Sequence, residues 1–235
     1  VTSYYFETNK NNWRPFLDLL ADCMQNVRFN PEHLASEVKA VVQELNMRKD
    51  NYWRMLIIKA IELSFAPNHP YHIPVMGYKE DLLNLTADRI KAFYTKYYSP
   101  DRATLFVVGD IDADEIMRSI EEQFSAIPAG QKPTPTVFPG QGAEVSATSM
   151  RFYEDVSSEH LLLYWSIPGH KFEQQHVVDM VEGLLGAGQA SLLNKLLVDE
   201  HKVAASASAY ALKLMEGGIF CVMIEPLPGK KDRCI

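Results

Sequence analysis

A stretch rich in proline and glycine divides this chain of 235 residues into two parts and thereby limits how it can fold. The segment "PAGQKPTPTVFPGQG", residues 128–142, concentrates proline, glycine and polar residues and has no hydrophobic periodicity. Such a composition disfavours helices and strands and is typical of an interdomain linker. We therefore predict one domain over residues 1–128, a linker over 129–142 and a second domain over 143–235.

The first part of the chain combines strand-like and helix-like segments. β-Branched and aromatic residues predict a strand at "VTSYYFET", after which Asn11 or Asn12 can cap a helix through "WRPFLDLLADCMQNV". Asn30 and Pro31 supply an N-cap and a first helical residue for a long helix that runs, with a break, to about Phe65. The predicted elements that follow are a loop at "APNHPYHIPVMGY", a helix through "TADRIKAFYTKYY", a strand at "ATLFVVGD" and a helix through "DADEIMRSIEEQFSAI".

The second part of the chain contains strands, helices and a closing hairpin. We predict strands at "SATSMRFYED" and "EHLLLYWSIPG", helices at "EQQHVVDMVEGLLGAG" and "ASLLNKLLVDEH", and a hairpin from "VAASASAYALKL" and "GGIFCVMIEPL". Strands and helices come in separate runs more than in strict strand–helix–strand alternation. This order favours an α+β fold with mostly antiparallel sheets.

Composition excludes several classes of function. The net charge is -7, from 30 acidic and 23 basic residues, so the chain as a whole offers no basic field for a phosphate backbone and we predict no nucleic-acid partner. No apolar run approaches the roughly 18 residues of a membrane span, and none is predicted. The three cysteines, Cys23, Cys221 and Cys234, are far apart and are expected to be free or buried thiols. They do not distinguish cytosol, organelle and periplasm.

Two glutamates stand out in "SEVKAVVQELNMRKD", residues 36–50. An α-helix turns about 100° per residue, so the seven residues from Glu37 to Glu44 bring both side chains to within roughly 20° of one direction. The predicted buried stripe of this helix consists of Leu34, Val38, Val41, Val42 and Leu45. The two carboxylates lie along one margin of that stripe.

Three interpretations of this pair remain open on the residues alone. The two glutamates can belong to a solvated shoulder of the helix, which is where most acidic side chains lie. They can form salt bridges, for which Arg48 stands four residues after Glu44. One carboxylate can also bind a divalent metal while the other orients a ligating imidazole.

The histidines do not complete a metal site by their spacing. They are His33, His69, His72, His160, His170, His176 and His201. None forms an HxxxH or HxxEH pair, and His69 and His72 lie in a proline-rich loop where packing and capping are expected in preference to ligation. The sequence also contains no GxSxG, GxxxxGK[ST] or GxGxxG motif.

Several segments, in their order along the chain, resemble the pitrilysin or insulinase family of metallopeptidases (peptidase family M16, the inverzincins). The mitochondrial processing peptidases and respiratory core proteins share that fold. The likeness is carried by "TSYYFE", "FLDLLADCMQNVRFNPEHLASEVKAVVQELNMRKD" and "HPYHIPVMGYKEDLLNLTADRIKAFYTKYYSPDRATLFVVGDID". It covers about residues 1–128 and continues more weakly through "GQASLLNKLLVDEHKVAASASAYA".

The resemblance implies the architecture of a metallopeptidase half. Such a half consists of two α+β sandwich domains, each a mostly antiparallel sheet packed with helices. Residues 1–128 then correspond to the C-terminal part of the first, zinc-bearing type of domain. Residues 143–235 correspond to a second domain that is C-terminally incomplete, so we expect an internal piece of a longer polypeptide.

The resemblance also assigns roles to the two glutamates. Members of the family bind zinc through the two histidines of an HxxEH helix and through a glutamate on a later helix, in an ExxxxxxE segment. Carried over, Glu44 is the third zinc ligand, and Glu37 is the nearby acid that supports a ligating histidine. The HxxEH motif, with the glutamate that acts as general base, is expected upstream of Val1. No catalytic residue is therefore expected in this chain, which should be inactive alone.

The resemblance further implies a partner. Active members place an arginine and a tyrosine from a partner half against the substrate carbonyl, and the equivalent segment here, "LLNKLLVDEHKVAASA", contains neither residue type. We therefore expect part of a zinc-dependent endopeptidase in which a second homologous half, fused or separate, supplies both and helps to enclose peptide substrates in a chamber. The alternative is a non-catalytic subunit or scaffold half of the same fold without metal.

Overall fold

The computed structural model describes residues 2–49, 51–130 and 149–235, which belong to two compact units. Unit 1 comprises Val1–Val41 and Glu80–Thr136, and unit 2 comprises Val42–Lys79 and Val137–Ile235. Each unit therefore combines two separate stretches of the chain. The predicted boundary at residue 128 and the linker over 129–142 stay predictions, because most of that linker lies outside the described residues.

Helices dominate the described residues up to 130. The α-helices of the described chain are α1 (Trp13–Gln25), α2 (Pro31–Lys49), α3 (Tyr52–Ser64), α4 (Lys79–Leu83), α5 (Ala87–Tyr97), α6 (Ala113–Phe124) and α7 (Gln175–Gly186). Short 3₁₀ helices form at Pro70–His72, Pro100–Arg102 and Lys231–Arg233, and a π-helix forms at Asn194–Glu200. The predicted long helix with a break is the pair α2 and α3.

Capping side chains set where two of the helices in unit 1 begin. The Oγ1 atom of Thr86 accepts a hydrogen bond from the backbone N–H of Arg89 at 3.3 Å, and α5 follows. The Oδ1 atom of Asp112 accepts one from the N–H of Glu115 at 2.9 Å, and α6 follows. Each bond satisfies a backbone donor that the first turn of a helix leaves open. Both helix starts agree with the sequence prediction.

Unit 1 is held together mainly by its helices. Leu17 and Ala21 of α1 and Ile116 of α6 are buried. Beside these apolar residues, Arg14 of α1 donates to the Ser119 hydroxyl of α6 at 3.1 Å and pairs with Glu115 at 2.6 Å. The two helices therefore combine an apolar contact with polar contacts at its margin.

Unit 2 is built around a three-stranded antiparallel sheet. The strands are β1 (Leu161–Ile167), β2 (Ala204–Lys213) and β3 (Gly218–Pro226), in the order β1-β3-β2. The register pairs Leu161 with Ile224 on one side of β3 and Ala207 with Ile224 on the other. The predicted closing hairpin is confirmed, as is the prediction of an α+β fold with antiparallel pairing.

Both faces of this sheet are covered within unit 2. On one face, Phe220, Val222 and Ile224 pack with residues of α7 and of the π-helix, among them Val178 and Leu197. On the other face, Ile219 and Cys221 pack against Ala60 of α3. Residues of β3 point alternately to the two faces, which explains why almost the whole strand is apolar.

Three predicted strands are wrong in the described residues. The segments "TSYYFET" and "ATLFVVGD" and the described part of "SATSMRFYED" have no strand pairing in the structure. Their residues have high β-propensity, but propensity records how well a side chain suits a pleated surface and does not supply a hydrogen-bonding neighbour. Among the helices of the described chain, none is both long and apolar enough to cross a membrane.

Candidate metal-binding site

The helix that carries both candidate acids is fixed at its start by a local cap. The Oδ1 atom of Asn30 accepts a hydrogen bond from the N–H of Glu32 at 2.8 Å, and its carbonyl accepts from the N–H of Leu34 at 3.0 Å. Pro31 takes the first helical position, where its missing N–H costs nothing. The predicted start of α2 is therefore confirmed.

Glu37 and Glu44 are both exposed on α2, whereas the five apolar residues of the predicted stripe are half-buried. Seven residues of a continuous helix correspond to a rise of about 10 Å, so the two backbone positions are far apart on the scale of a metal–oxygen bond of about 2 Å. The two carboxylates therefore differ in what they can reach. This separation suits one ligand and one supporting group better than two ligands of a single ion.

The described residues offer only part of the ligand set that zinc requires. A carboxylate oxygen is an ordinary zinc ligand, and Glu44 presents one at the surface, so it fits one ligand position. A closed or catalytic zinc site needs three or four protein ligands. Within the described residues, no group of three or more histidine, cysteine, aspartate or glutamate side chains could hold a metal ion.

The two loop histidines serve packing and capping, as the sequence predicts. His69 is only 1% exposed, its ring stacks on Phe65 with centroids 4.6 Å apart, and its Nδ1 atom accepts from the N–H of Tyr71 at 3.1 Å. Burial lowers the pKa of His69, and the nearby charge of Glu216 acts in the opposite direction. The His72 Nδ1 atom lies 2.7 Å from the carbonyl oxygen of Glu62 near the end of α3.

The cysteines do not form a reactive site in the described chain. All three are free thiols; Cys23 is exposed, and Cys221 and Cys234 are buried. Burial raises the pKa of Cys221 to about 12, so this thiol stays protonated at neutral pH. The prediction of free or buried thiols is confirmed.

The sequence did not predict the aromatic cluster that forms at the start of α3. The Trp53 ring lies 4.8 Å from the His160 ring between centroids, and the Tyr52 ring lies 5.9 Å from it. His160 is more than 100 positions away along the chain, so no local pattern could have joined these residues. The only sequence signal is that two aromatic residues follow directly after the break in the long helix.

Comparisons with known proteins agree with this fold. The model of the peptidase M16 inactive domain matches residues 84–235, and that of insulinase (peptidase family M16) matches residues 1–78. The zinc protease PqqE of Helicobacter pylori is 27% identical over 238 aligned residues, which cover 100% of this chain and 53% of the relative. An uncharacterised zinc protease of Rickettsia felis is 25% identical, over 94% of this chain and 52% of the relative.

Solved structures give the same result. A crystal structure of a protease from Helicobacter pylori matches with a TM-score of 0.82 and 26% identity, over 96% of this chain and 55% of that one. The periplasmic protease PqqL of Escherichia coli matches with a TM-score of 0.70 and 21% identity, over 94% of this chain and 25% of that one, which is a likeness of fold.

These matches settle the family and the fold. The chain spans about half the length of these two curated relatives. The predicted metallopeptidase-half fold is confirmed, because the neighbouring structures are M16 peptidases of that architecture. A family model covers residues 84–235, which is more than half of the chain. This chain therefore belongs to peptidase family M16, the insulinase family.

Proposed function

We propose that this chain is part of a zinc-dependent endopeptidase that hydrolyses peptides within an enclosed chamber. The single observation that carries the proposal is the exposed Glu44 carboxylate on α2 of a chain whose relatives are named zinc proteases. A bound zinc ion would polarise the scissile carbonyl and make a water molecule more acidic. The chain would contribute one of the ligands that hold the ion.

The two glutamates have different roles in this proposal. Glu44 is the zinc ligand, and Glu37 accepts a hydrogen bond from a ligating histidine, which fixes the orientation of that ring and keeps the correct nitrogen toward the metal. The rise of about 10 Å between their backbone positions supports this division. The two ligating histidines and the general base would come from an HxxEH helix outside these 235 residues. By itself, the chain should therefore hydrolyse no peptide.

The partner of this chain would be a second homologous half, fused or separate. Support comes from the length of the relatives and from PqqL, of which this chain covers about one quarter, while it covers 48% of the structure of the first half of PqqL. The second half would supply an arginine and a tyrosine to the substrate carbonyl. A peptide bound as an added strand on a sheet edge would be held by its backbone, so that size selects substrates more than side chains do.

A second candidate is a non-catalytic subunit or scaffold half without metal. One observation favours it: the family model that matches residues 84–235 describes an inactive domain. In that case the fold would serve only to enclose or support a catalytic partner.

Zinc content of the whole protein separates the two candidates. We expect the Glu44→Gln variant to lose zinc affinity by more than the roughly 10- to 100-fold typical of a group that only supports a ligand. Glu37→Gln should fall within that smaller range. Glu32→Gln, which changes another exposed glutamate of α2, is the matched control and should keep the wild-type affinity. Tight zinc in Glu44→Gln would refute the ligand assignment, and absence of zinc from the wild type would favour the scaffold.

A further inference from the structure

The start of α3 is held by aromatic contacts inside unit 2. The Trp53 ring meets the His160 ring edge-on, with an interplanar angle of 74°, and the Tyr52 ring approaches the same imidazole at a tilt of 50°. The Tyr52 hydroxyl donates to the backbone carbonyl of Asp155 at 3.4 Å. Since Tyr52 and Trp53 are the first two residues of α3, these contacts fix that end of the helix against the segment before β1.

The imidazole that receives these rings is itself fixed to the central strand. The His160 Nδ1 atom lies 3.1 Å from the carbonyl oxygen of Ser158, and because a carbonyl only accepts, Nδ1 carries the hydrogen. The Ser158 hydroxyl donates to the carboxylate of Glu225 in β3 at 2.6 Å. The next residue, Leu161, pairs with Ile224 of β3. The position of the ring therefore follows the position of the sheet.

The same contacts limit where the end of α2 can lie. Helix α2 ends at Lys49 and α3 begins at Tyr52, so only two residues separate them. Such a connection spans little more than about 10 Å even when it is fully extended. Glu44 lies five residues before the end of α2, in the part of the helix that belongs to unit 2. The start of α3 therefore limits where the end of α2, and with it Glu44, can lie.

We propose that His160 is a positioning residue for Glu44. Through Trp53 it holds the start of α3, and through the short connection it limits where the last turns of α2 can lie within unit 2. The part of the inference that concerns zinc rests on the proposed function, whereas the part that concerns the position of α2 does not. A group that orients a ligand without touching the metal typically changes metal affinity by about 10- to 100-fold.

Two measurements on the whole protein test the inference. Zinc affinity is obtained by competition with a chelator, and the order of α2 by hydrogen exchange of the backbone amides of residues 42–49. We expect His160→Ala to weaken zinc binding by at least about 10-fold and to speed exchange at these amides. His160→Phe keeps a ring against Trp53, so it should retain most of the wild-type zinc affinity and most of the wild-type protection of these amides. Trp165→Ala removes a different aromatic residue of unit 2, 53% exposed, and should change neither.

Each result bears on one part of the inference. Wild-type zinc affinity and wild-type exchange in a folded His160→Ala protein would overturn it, while Glu44→Gln would still decide the proposed function. If Glu44→Gln keeps its zinc, the ligand assignment fails, and exchange at residues 42–49 still decides whether His160 holds α2. If His160→Ala does not fold, Trp53→Leu removes the ring that meets His160 and leaves the imidazole in place. Faster exchange at residues 42–49 in that variant would support the inference, and unchanged exchange would contradict it.

Discussion

The two units of this molecule use similar sequence patterns with different results. In unit 2, strand-like segments pair into a sheet whose central residues Ile219 and Ile224 are 0% and 2% exposed. In unit 1, the strand-like segment "ATLFVVGD" forms no strand, and its residues Phe106 and Val108 are 82% and 95% exposed. The composition of these segments is alike. What differs is whether another segment lies alongside.

This difference shows that a strand is a property of two segments and not of one. Backbone N–H and C=O groups of a strand need a neighbour to pair with, and the apolar side chains gain free energy only when a covering layer removes them from water. Unit 2 supplies both, through β3 as the shared neighbour and through α3 and α7 as covering layers. The described part of unit 1 supplies helix contacts instead, and it leaves large apolar side chains exposed.

The largest expected effect comes from a cavity in the core of unit 2. Ile224→Ala removes a buried side chain from β3, and we expect it to lower the free energy of unfolding of unit 2 by about 2–5 kcal/mol. Val108→Ala removes an exposed apolar side chain of unit 1 and should cost less than about 0.5 kcal/mol. Hydrogen exchange of the slowest amides in each unit measures both. Equal losses would mean that the strand-like segments of unit 1 are as well covered as those of unit 2.

A somewhat smaller effect is expected where α7 meets the sheet. A Cβ atom on Gly186 would overlap the backbone nitrogen of Ala209 in β2, whereas a Cβ atom on Gly183 of the same helix would meet nothing within 4 Å. Gly186→Ala should therefore destabilise unit 2 by about 1–3 kcal/mol. Gly183→Ala should stabilise it by up to about 1 kcal/mol, since alanine favours the helix. Denaturant unfolding compares the two variants, and a neutral Gly186→Ala would contradict the close approach of helix and strand.

Helix caps should have an effect of about 1 kcal/mol in unit 1. Asp112 caps α6 through its side chain, so Asp112→Ala should cost about 1 kcal/mol. Asn12 stands at the equivalent position of α1 but makes no hydrogen bond from its side chain to the helix, so Asn12→Ala should cost much less. Exchange rates of the first amides of each helix give the measurement. If Asn12→Ala cost as much stability as Asp112→Ala, the Asn12 side chain would have to make a capping hydrogen bond that is absent from the structure.

Much of the helical structure could be predicted from the sequence, because its signals are local. Asn30 with Pro31, Thr86 and Asp112 mark helix starts that the structure confirms, and the predicted break in the long helix is the interruption between α2 and α3. The hairpin of β2 and β3 was equally accessible, since its strands are adjacent in the chain. The three segments that were wrongly predicted as strands could form strands only by pairing with distant segments, and no local sequence pattern specifies such pairing.

In the candidate site, too, local features could be predicted from the sequence and contacts between distant residues could not. Spacing places Glu37 and Glu44 on one side of α2, and both are exposed there, but their assignment to zinc came from the resemblance and stays a proposal. The contact of His160 with Trp53 joins residues separated by 107 positions, counted from 53 to 160, and no sequence signal links them. Residues that touch a ligand can be recognised by type and spacing. Residues that position such ligand-binding residues are brought together by tertiary packing, so the sequence patterns did not identify them.

The smallest expected effect is a pH dependence that belongs to unit 2. Burial lowers the pKa of His69, and Glu216 offsets part of this effect. An unfolded histidine has a pKa of about 6.5, so below that pH the unfolded chain binds a proton that folded His69 does not, and the stability of unit 2 should fall as the pH decreases. Above that pH both states are neutral at this site, and it contributes no pH dependence.

The variant His69→Asn tests this origin, because asparagine keeps an acceptor for the N–H of Tyr71 and does not titrate. Denaturant unfolding at about pH 7.5 and about pH 5.5 should show a smaller loss of stability on acidification in the variant than in the wild type. His176→Asn changes an exposed histidine of the same unit and is the matched control. If both variants reduce the loss equally, burial of His69 is not its cause, because the exposed side chain of His176 would then have the same effect as a fully buried one.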